Sequence, residues 1–291
     1  MENEYYGALE AGGTKMVAAI YDGNGNVVER TVVKTEKPEK TAEELIRFFE
    51  KKKLTALGIG SFGPVDIHPD SENYGRILRS PKTEWQGFSF YETFHEALSC
   101  PVVIDTDVNA AALGEARYGA LKDVKNGLYL TVGTGVGAGI IVNGQLLHGM
   151  LHSEAGHILL SKVPGDDFPG CCKYHTNCLE GLAGGPAILA RTGLEGAKLT
   201  PDHPVWDIVA SYLAQALADY CMVLSPERMV LGGGVMKQEH LFPRIREKFA
   251  AELGGYLTTP ALSNLETYIV PSSVGGDQGI LGAYCLAREP V

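Results

Sequence analysis

The chain has 291 residues, 45% of them hydrophobic and 21% charged, which is the composition of an ordinary globular protein with room for two lobes. Its 25 basic and 35 acidic residues give a formal net charge of −10, which disfavours nucleic acid and anionic membranes as partners. We expect no membrane span, because no apolar run approaches the roughly 18 residues that one requires. The acidic start MENEYYGALEAGG predicts no signal peptide, and the six cysteines favour a cytoplasmic protein with metal ligands among the clustered ones.

Two glycine-rich segments organise the sequence: GALEAGGTKMVAAIYDGNG at 7–25 and GLYLTVGTGVGAGIIVNG at 127–144. Each predicts a strand, a tight Gly/Thr turn and a second strand. When one segment is shifted by 120 positions, glycines, a threonine and apolar residues coincide. A matched hairpin at the start of each half predicts a duplicated α/β architecture with two lobes around a central cleft, although glycine-rich hairpins can also resemble one another by chance.

Helices alternate with short apolar strands in the remaining sequence, which predicts largely parallel sheets that each begin with an antiparallel hairpin. A capping box of Thr41 and Glu44 predicts a helix over 41–53. Strands are expected within LTALGIGSFGP, PVVIDTDV, RMVLGGGV and ETYIVPSS, and further helices over 109–118, 181–191, 205–224, 239–253 and 279–287. We expect a small first lobe of residues 1–118, joined by the C-terminal helix at 279–291, and a larger second lobe of residues 119–278.

The turn EAGGTK predicts a phosphate-binding loop. Gly12 and Gly13 would let backbone amides point towards an anion, Thr14 adds a hydroxyl donor, and Lys15 adds charge if it faces inward. The spacing differs from that of a Walker loop. Similar glycine turns occur in LTVGTGVG, LGGGV and VGGDQG, and four such turns could wrap a nucleotide. The alternative is that they are only tight turns.

Two aspartates end a predicted strand just before a helix, in IDTDVNAAALGEA. Asp105 and Asp107 are expected on the same side of an extended strand. Transfer of a phosphate to a hydroxyl needs a carboxylate beside the attacking oxygen, and Asp107 is the better candidate because the helix start keeps it ionised. The competing interpretation is that Asp107 only caps the helix. We expect a structural or substrate-orienting role for Asp105.

The segment GHILLSKVPGDDFPGCCKYHTNC at 156–178 has neither a helical nor a strand period, and it contains two histidines and three cysteines. Cys172, His175 and Cys178 are spaced by three residues, and thiolates with an imidazole suit zinc. His157 is the nearest fourth ligand, and a shell of four protein ligands would make the ion structural. The alternative is a group of free thiols and surface histidines. The less favoured ligands are Cys171, whose side chain diverges from its neighbour, and His152.

Two glutamates flank this cluster. Glu154 lies three residues before His157, and Glu180 lies two residues after Cys178. A metal-held loop would place both carboxylates and the His157 imidazole where they can accept hydrogen bonds from hydroxyl groups. This inventory suits a polyol-binding site, whereas solvated surface acids are the alternative interpretation.

Together the motifs EAGGTK, SFGPVD, DTDVNAAALGE, LTVGTGVGAGI, SEAGHI and CKYHTNCLEGLAGGPA resemble the ROK family of sugar kinases, and within it the bacterial fructokinases. The resemblance runs nearly end to end. It implies an actin/hexokinase-like fold of two α/β lobes that binds ATP with Mg²⁺, carries a structural Zn²⁺ and forms a homodimer.

The resemblance also assigns roles by position, and it makes Asp107 the catalytic base. Thr106 stands where many glucose and N-acetylmannosamine kinases have asparagine, which is again similar to fructokinases. The implied sugar-binding residues are Glu154, His157, Glu180, Gly63 and Asn109, and the implied zinc ligands are His157, Cys172, His175 and Cys178. The implied ATP-binding residues are Gly12, Gly13, Thr14 and Lys15 in the first turn, Thr134 and Gly135 in the second, and Pro186, Gly233 and Gly234 near the nucleotide.

The expected activity is phosphate transfer from ATP to a hexose, with O6 of D-fructose as the expected acceptor. A mannose or glucose kinase of the same family is one alternative, and a sugar-sensing repressor is another. Such repressors carry a helix-turn-helix segment before the first phosphate loop, and here that loop begins at Glu10, which disfavours this alternative. A zinc-holding, ATP-binding module without turnover is the third interpretation, and the presence of Asp107 disfavours it.

Overall fold

The computed structural model describes residues 4–80 and 82–289, which form two compact units. The first unit contains the described residues up to 122, the segment 145–152, and the residues from 273 onward. The second unit contains residues 123–144 and 153–272. Each unit has a mixed β-sheet with its own hydrophobic core, so the α/β class expected from the sequence is confirmed.

The elements are numbered along the described chain. The strands are β1 (Tyr5–Ala11), β2 (Lys15–Asp22), β3 (Val27–Lys34), β4 (Ala56–Ser61), β5 (Val102–Thr106), β6 (Gly127–Val132), β7 (Val136–Val142), β8 (Gln145–Leu146), β9 (Arg228–Gly232) and β10 (Ile269–Pro271). The helices are α1 (Pro38–Phe49), α2 (Phe90–Leu98), α3 (Asp107–Tyr118), α4 (Leu179–Ala183), α5 (Gly185–Thr192), α6 (Val205–Leu224), α7 (Leu241–Leu253), α8 (Leu265–Tyr268) and α9 (Gln278–Arg288).

The first unit is built on a sheet in the order β3-β2-β1-β4-β5. The pairs β1–β2 and β2–β3 are antiparallel, whereas β1, β4 and β5 are parallel neighbours. All six residues of β4 are buried, as expected for a parallel strand covered on both faces. The second unit repeats this plan, since β6 pairs antiparallel with β7 and parallel with β9, and β9 pairs parallel with β10. The matched hairpins predicted from the sequence are therefore confirmed.

Close packing of α3 and α9 explains a glycine in the last helix. A Cβ atom on Gly282 would lie 1.6 Å from the carbonyl oxygen of Ala110, a distance that no side chain permits. The absence of a side chain lets the two helix backbones meet. The helix nearest the C-terminus is thereby packed beside the helix that carries Asp107 in the first unit.

Helix α1 begins three residues before the predicted start and ends before the predicted end. Pro38 occupies its first turn, where the missing amide is not needed and the fixed φ suits a helix. Thr41, the predicted cap, lies inside the helix, and its hydroxyl accepts a hydrogen bond from the Glu36 amide at 3.0 Å. The capping-box prediction was wrong because proline, rather than threonine, defines this start.

The helix predicted over 181–191 is also interrupted. Gly184 has an extended backbone, with φ −66° and ψ 166°, so α4 ends before it and α5 begins after it. The other helices predicted from the sequence lie within two residues of the observed bounds at each end.

Helix α6 is the main core helix of the second unit. It has the predicted bounds, and 12 of its 20 residues are buried. Among residues 4–80 and 82–289, it is the one helix long and apolar enough to cross a membrane by length and composition, so the expectation that no such stretch exists was wrong. Burial of 56% of its apolar window inside the protein accounts for that composition.

Candidate functional site

The carboxyl ends of three neighbouring strands meet at one edge of the first sheet. Ala11 of β1 is in register with Ser61 of β4, and Ser61 is in register with Thr106 of β5. The turn at 12–14 and the start of α3 at Asp107 therefore follow at the same edge. Neighbouring strands are about 4.8 Å apart, so the ends of β1 and β5 are about 10 Å apart. Ligands of α/β proteins commonly bind at such an edge.

Asp107 is the first residue of α3, and it is half-buried. The cap of this helix is Thr106, whose hydroxyl accepts a hydrogen bond from the Asn109 amide at 3.1 Å. Oδ1 of Asp107 accepts one from the Val108 amide at 2.9 Å. The interpretation of Asp107 as the helix cap is therefore wrong. Its carboxylate lies in the first turn of α3, where the helix dipole favours the ionised form.

Asp105 has a different environment, since it is 2% exposed. Its Oδ1 accepts hydrogen bonds from the Asn109 side-chain amide and from the Thr106 amide, both at 2.7 Å, and its Oδ2 lies 2.7 Å from Nε2 of His148. Because β5 ends at Thr106, the strand alternation that would place Asp105 and Asp107 on one side does not continue to Asp107. A structural role and a substrate-orienting role were both expected for Asp105. Because both of its carboxylate oxygens are hydrogen-bonded within the protein, the structure supports the structural role.

Two predicted sugar-binding residues lie close to these aspartates. Asn109 is 1% exposed, and its side chain donates to Asp105. Gly63 follows β4, and its carbonyl oxygen accepts a hydrogen bond from the Ser80 hydroxyl at 3.3 Å. Their contact with a sugar stays a prediction.

Three histidines hold the segment 145–152 on the first unit. Besides the contact of His148 with Asp105, Nε2 of His68 donates to the carbonyl oxygen of Met150 at 2.8 Å, and Nε2 of His152 accepts from the Val65 amide at 3.3 Å. Sequence reasoning missed His148. The only available signal was its position shortly before Glu154 in HGMLHSE.

The first glycine turn is held by a threonine of the chain that follows β3. The Thr35 hydroxyl donates to the carbonyl oxygen of Gly12 at 2.8 Å, and the Thr35 amide donates to that of Thr14 at 3.0 Å. Gly13, Thr14 and Lys15 are exposed or half-buried. With two of its carbonyl oxygens bonded to Thr35, the turn has a fixed shape on an accessible edge.

The second sheet presents a matching edge. Thr131 of β6 is in register with Gly232 of β9, so the turn with Thr134 and Gly135 and the turn with Gly233 and Gly234 follow side by side. The Gly185 amide, at the start of α5, donates to the carbonyl oxygen of Gly133 at 2.7 Å. This bond brings Pro186, the next residue, to the same turn. The predicted nucleotide residues of the second unit thus lie along one edge of its sheet.

The glutamates flanking the cysteine segment differ in position. Oε2 of Glu180 accepts a hydrogen bond from the Val136 amide at 3.0 Å, just after the second glycine turn. Its Oε1 lies 3.9 Å from Nε2 of His157, and the two side chains are 29% and 27% exposed. Glu154 is exposed and precedes the short 3₁₀ turn Ala155–His157. Glu180 and His157 are thus neighbours that a ligand could reach.

His157, Cys172, His175 and Cys178 converge in the second unit, as the sequence predicted. Their ligand atoms all lie within 4.8 Å of one another, and Sγ of Cys172 is 3.8 Å from Nδ1 of each histidine. A tetrahedral zinc ion, with bonds of about 2.3 Å to sulfur and about 2.0 Å to nitrogen, separates its ligands by about 3.3 to 3.8 Å. The two sulfur and two nitrogen donors therefore fit zinc, and four protein ligands make the site structural.

Neither less favoured ligand belongs to this cluster. Sγ of Cys171 lies 3.5 Å from the carbonyl oxygen of Gly181, and His152 is bonded to Val65 in the first unit. Among residues 4–80 and 82–289, these four are the one group of histidine, cysteine and acidic side chains placed to hold a metal.

A charged pair anchors the chain that leads into the cluster. Both oxygens of Asp166 accept hydrogen bonds from Arg191 of α5, at 2.5 and 2.7 Å, and one also accepts from the Tyr212 hydroxyl of α6. The bonds from Arg191, despite partial burial, hold the pKa of Asp166 well below its usual range. The loop before Cys172 is thereby fixed to the core of the second unit.

Comparison with known proteins agrees with this arrangement. The model of the ROK family matches residues 6–290. The chain is similar to a fructokinase of Pediococcus pentosaceus, with 45% identity over 97% of each chain, and to a glucokinase of Halalkalibacterium halodurans, with 30% identity over 99% of this chain and 96% of that one. It is also similar in structure to the ROK hexokinase from Thermus thermophilus, with a TM-score of 0.81, 29% identity and 98% of each chain covered.

Metal removal tests the cluster. We expect the purified protein to carry about one zinc ion per chain, and Cys178→Ser to lose it and to melt at a lower temperature, because a structural zinc site contributes directly to folding. Elemental analysis and thermal unfolding, with and without a chelator, measure both effects. Cys171→Ser is the matched control and should keep the ion. A metal-free protein of unchanged stability would contradict the assignment.

The contact between His148 and Asp105 predicts a pH-dependent stability. The hydrogen bond that His148 donates to the Asp105 carboxylate raises the pKa of His148 against the opposing effect of partial burial. A raised histidine pKa stabilises the fold fully below the unfolded value of about 6.5, and the effect is lost as the pH rises through the folded value. We expect His148→Gln to lower the free energy of unfolding by about 1 kcal/mol more at about pH 6 than at about pH 9.

Denaturant titrations of the wild type and of the variant at both pH values measure this difference. His95→Gln is the control, since its ring bonds to the carbonyl oxygen of Cys100 rather than to a carboxylate. An equal loss of stability for His148→Gln at both pH values would rule out the charged pair.

Proposed function

The chain belongs to the ROK family, and from that premise we propose that it is an ATP-dependent kinase that converts D-fructose to fructose 6-phosphate. The observation that carries the proposal is the higher identity to a fructokinase than to a glucokinase, 45% against 30%, over nearly complete chains in both cases. The enzyme is a phosphotransferase, and its substrates are a sugar and ATP.

Asp107 is proposed as the catalytic base. In the reaction the sugar hydroxyl oxygen forms a bond to the γ-phosphorus of ATP, and the bond from that phosphorus to the β,γ-bridging oxygen breaks. ADP leaves with the bonding electrons, and the hydroxyl proton passes to the carboxylate. The position of Asp107 at the start of α3 supports this role, because the helix dipole keeps the carboxylate ionised and able to accept the proton.

The glycine turns are proposed to bind ATP. In the first unit the turn with Gly12, Gly13 and Thr14 offers backbone amides and a hydroxyl to a phosphate, and Lys15 follows it. In the second unit the candidates share one sheet edge: Thr134, Gly135, Pro186, Gly233 and Gly234. Mg²⁺ bound with ATP supplies positive charge that offsets the charge of the transferring phosphate.

The second unit is proposed to bind sugar hydroxyls through Glu154, Glu180 and His157. The partial exposure of Glu180 and His157 supports this role. Glu180 is bonded to the backbone and His157 lies in the cluster of zinc ligands, yet both side chains remain accessible to a sugar. With four protein ligands, a zinc ion bound here would have no open position for a substrate. Its role would be to fix the loop, while the protein groups make the contacts with the sugar.

We further infer that the enzyme works in the cytoplasm as a homodimer. The use of ATP suits the cytoplasm. The cysteines of the described chain form no disulfide bonds, which suits a reducing compartment. The homodimer follows from the family resemblance, and light scattering of the purified protein measures it directly.

The choice of sugar is tested with a coupled assay over fructose, mannose, glucose and N-acetylmannosamine. We expect kcat/KM to be highest for fructose, and the product to carry its phosphate on O6. The control omits ATP. Highest kcat/KM for glucose or mannose would assign the enzyme to those substrates instead, and no turnover with any hexose would contradict the kinase function.

The base is tested with Asp107→Asn, which keeps the size of the side chain and removes its basicity. We expect kcat to fall by about 10²- to 10⁴-fold, the usual contribution of a general base, while fructose still binds. Steady-state rates and a binding titration separate the two effects. Asp70→Asn, at an exposed aspartate of the same unit, is the matched control. Near wild-type turnover of Asp107→Asn would refute the role.

A further inference from the structure

We propose that Lys82 binds the terminal phosphate of ATP at the first glycine turn and is the main cation of that turn. The inference rests on the proposed kinase function. It adds a residue that no motif of the sequence singled out, and it gives Lys82 the charge-supplying role that the sequence pattern assigned to Lys15.

The side chain of Lys82 lies along the backbone of the turn. A Cβ atom on Gly13 would be 2.8 Å from Cε of Lys82 and 3.8 Å from its Nζ. Any larger residue at position 13 would displace this lysine. The glycine thus makes room for the lysine, whose ammonium group ends beside the turn that is proposed to hold a phosphate.

Partly buried hydrogen bonds fix the backbone of Lys82 in this position. Its amide donates to the Ser80 hydroxyl, which in turn donates to the carbonyl oxygen of Gly63, both at 3.3 Å. Its carbonyl oxygen accepts from the Trp85 amide at 3.0 Å. Trp85 is 2% exposed, and its indole donates to the carbonyl oxygen of Glu36 at 2.9 Å. Core packing therefore places the lysine at the functional edge of the sheet.

The charges around Lys82 leave its ammonium group available to an anion. In the part of the chain that the structure describes, Lys82 forms no ion pair. Two carboxylates line the same cavity of about 260 Å³, those of Glu36 and Glu84. Glu36 is paired with Lys40 at 2.5 Å, and Glu84 is exposed to solvent. Neither of them neutralises Lys82.

Lys15 is less suited to this task. It begins β2 directly after the turn, and it is exposed. Burial raises the pKa of Glu10 in β1, and the charge of Lys15 opposes that rise. Part of the field of Lys15 therefore acts on the half-buried carboxylate of Glu10, whereas no carboxylate of the described residues pairs with Lys82.

The terminal phosphate is the one that this site would hold. A base accepts its proton within about 3 Å, and the attacking oxygen lies about 3 to 3.5 Å from phosphorus, so the transferring phosphate lies within about 7 Å of Asp107. The turn begins about 10 Å from the start of α3. A lysine side chain that ends at the turn can therefore reach the transferring phosphate. There the ammonium group would offset the charge that develops during transfer.

The test compares Lys82→Met, which keeps the side-chain length and removes the charge, with Lys82→Arg, Lys15→Met and Lys53→Met. Lys53 is an exposed lysine that precedes β4, at the opposite end of the sheet. We expect Lys82→Met to lower kcat/KM for ATP by about 100-fold and Lys82→Arg to recover part of it. Lys15→Met should lower kcat/KM for ATP less than Lys82→Met does, and Lys53→Met should stay within about threefold of the wild type. The KM for fructose should not change.

Calorimetric titrations with ATP and with AMP separate a phosphate contact from a general loss of structure. Lys82→Met should bind ATP more weakly and AMP as the wild type does, since AMP lacks the terminal phosphate. If the wild type phosphorylates fructose and Lys82→Met keeps its kcat/KM for ATP, the inference is overturned and the kinase function stands. If the wild type phosphorylates no hexose, the proposed kinase function fails. In that case the Lys82 inference is tested by binding alone, and equal ATP affinities of Lys82→Met and Lys53→Met would overturn it. Should Lys82→Met melt early, Lys82→Arg and Lys82→Gln are compared in the same assays.

Discussion

Parallel pairing of neighbouring strands places the candidate functional residues of each unit together. In the first unit β1, β4 and β5 run in one direction and in register, so the glycine turn and Asp107 follow at one edge. In the second unit β6 and β9 do the same for two further glycine turns. Backbone hydrogen bonds therefore set the spacing of these groups. A register shift of one residue would turn each side chain of a strand to the opposite face, so the site depends on the pairing more than on any single contact.

Features that depend on neighbouring residues could be predicted from the sequence. The hairpins were predicted because a Gly/Thr turn between two apolar strands is a local signal. Helix α6 was predicted because no glycine or proline interrupts its 20 residues. The metal cluster was predictable since three of its ligands are three residues apart. The start of α1 was not predicted correctly. Thr41 and Pro38 both signal a helix start, and the sequence pattern does not show which of them prevails. The sequence pattern did not indicate the break at Gly184 either. The break lets the Gly185 amide donate to the second glycine turn instead of continuing the helix.

Contacts between distant parts of the chain could not be predicted in this way. The imidazole of His148 meets Asp105 from 43 residues away, and nothing in either local pattern predicts the pair. The approach of Lys82 to Gly13 depends on the packing of Trp85 against the core of the first unit. Sequence reasoning could recognise a glycine turn as a phosphate site, but it could assign the cation only to the lysine next to the turn. Tertiary packing determines which lysine reaches it.

The cysteine and histidine cluster acts on the site through one short helix. Cys178 caps α4, its sulfur accepting from the Gly181 amide at 3.4 Å, and Glu180 is the second residue of that helix. The Glu180 carboxylate bonds to the Val136 amide beside the second glycine turn and faces the ligand His157. A metal ion bound by these four ligands would therefore limit the motion of a carboxylate that lies beside both the turn and the imidazole. Four protein ligands would leave a zinc ion no chemistry of its own. Its loss would nevertheless loosen two groups that are proposed to bind the sugar, because Glu180 and His157 depend on the same loop.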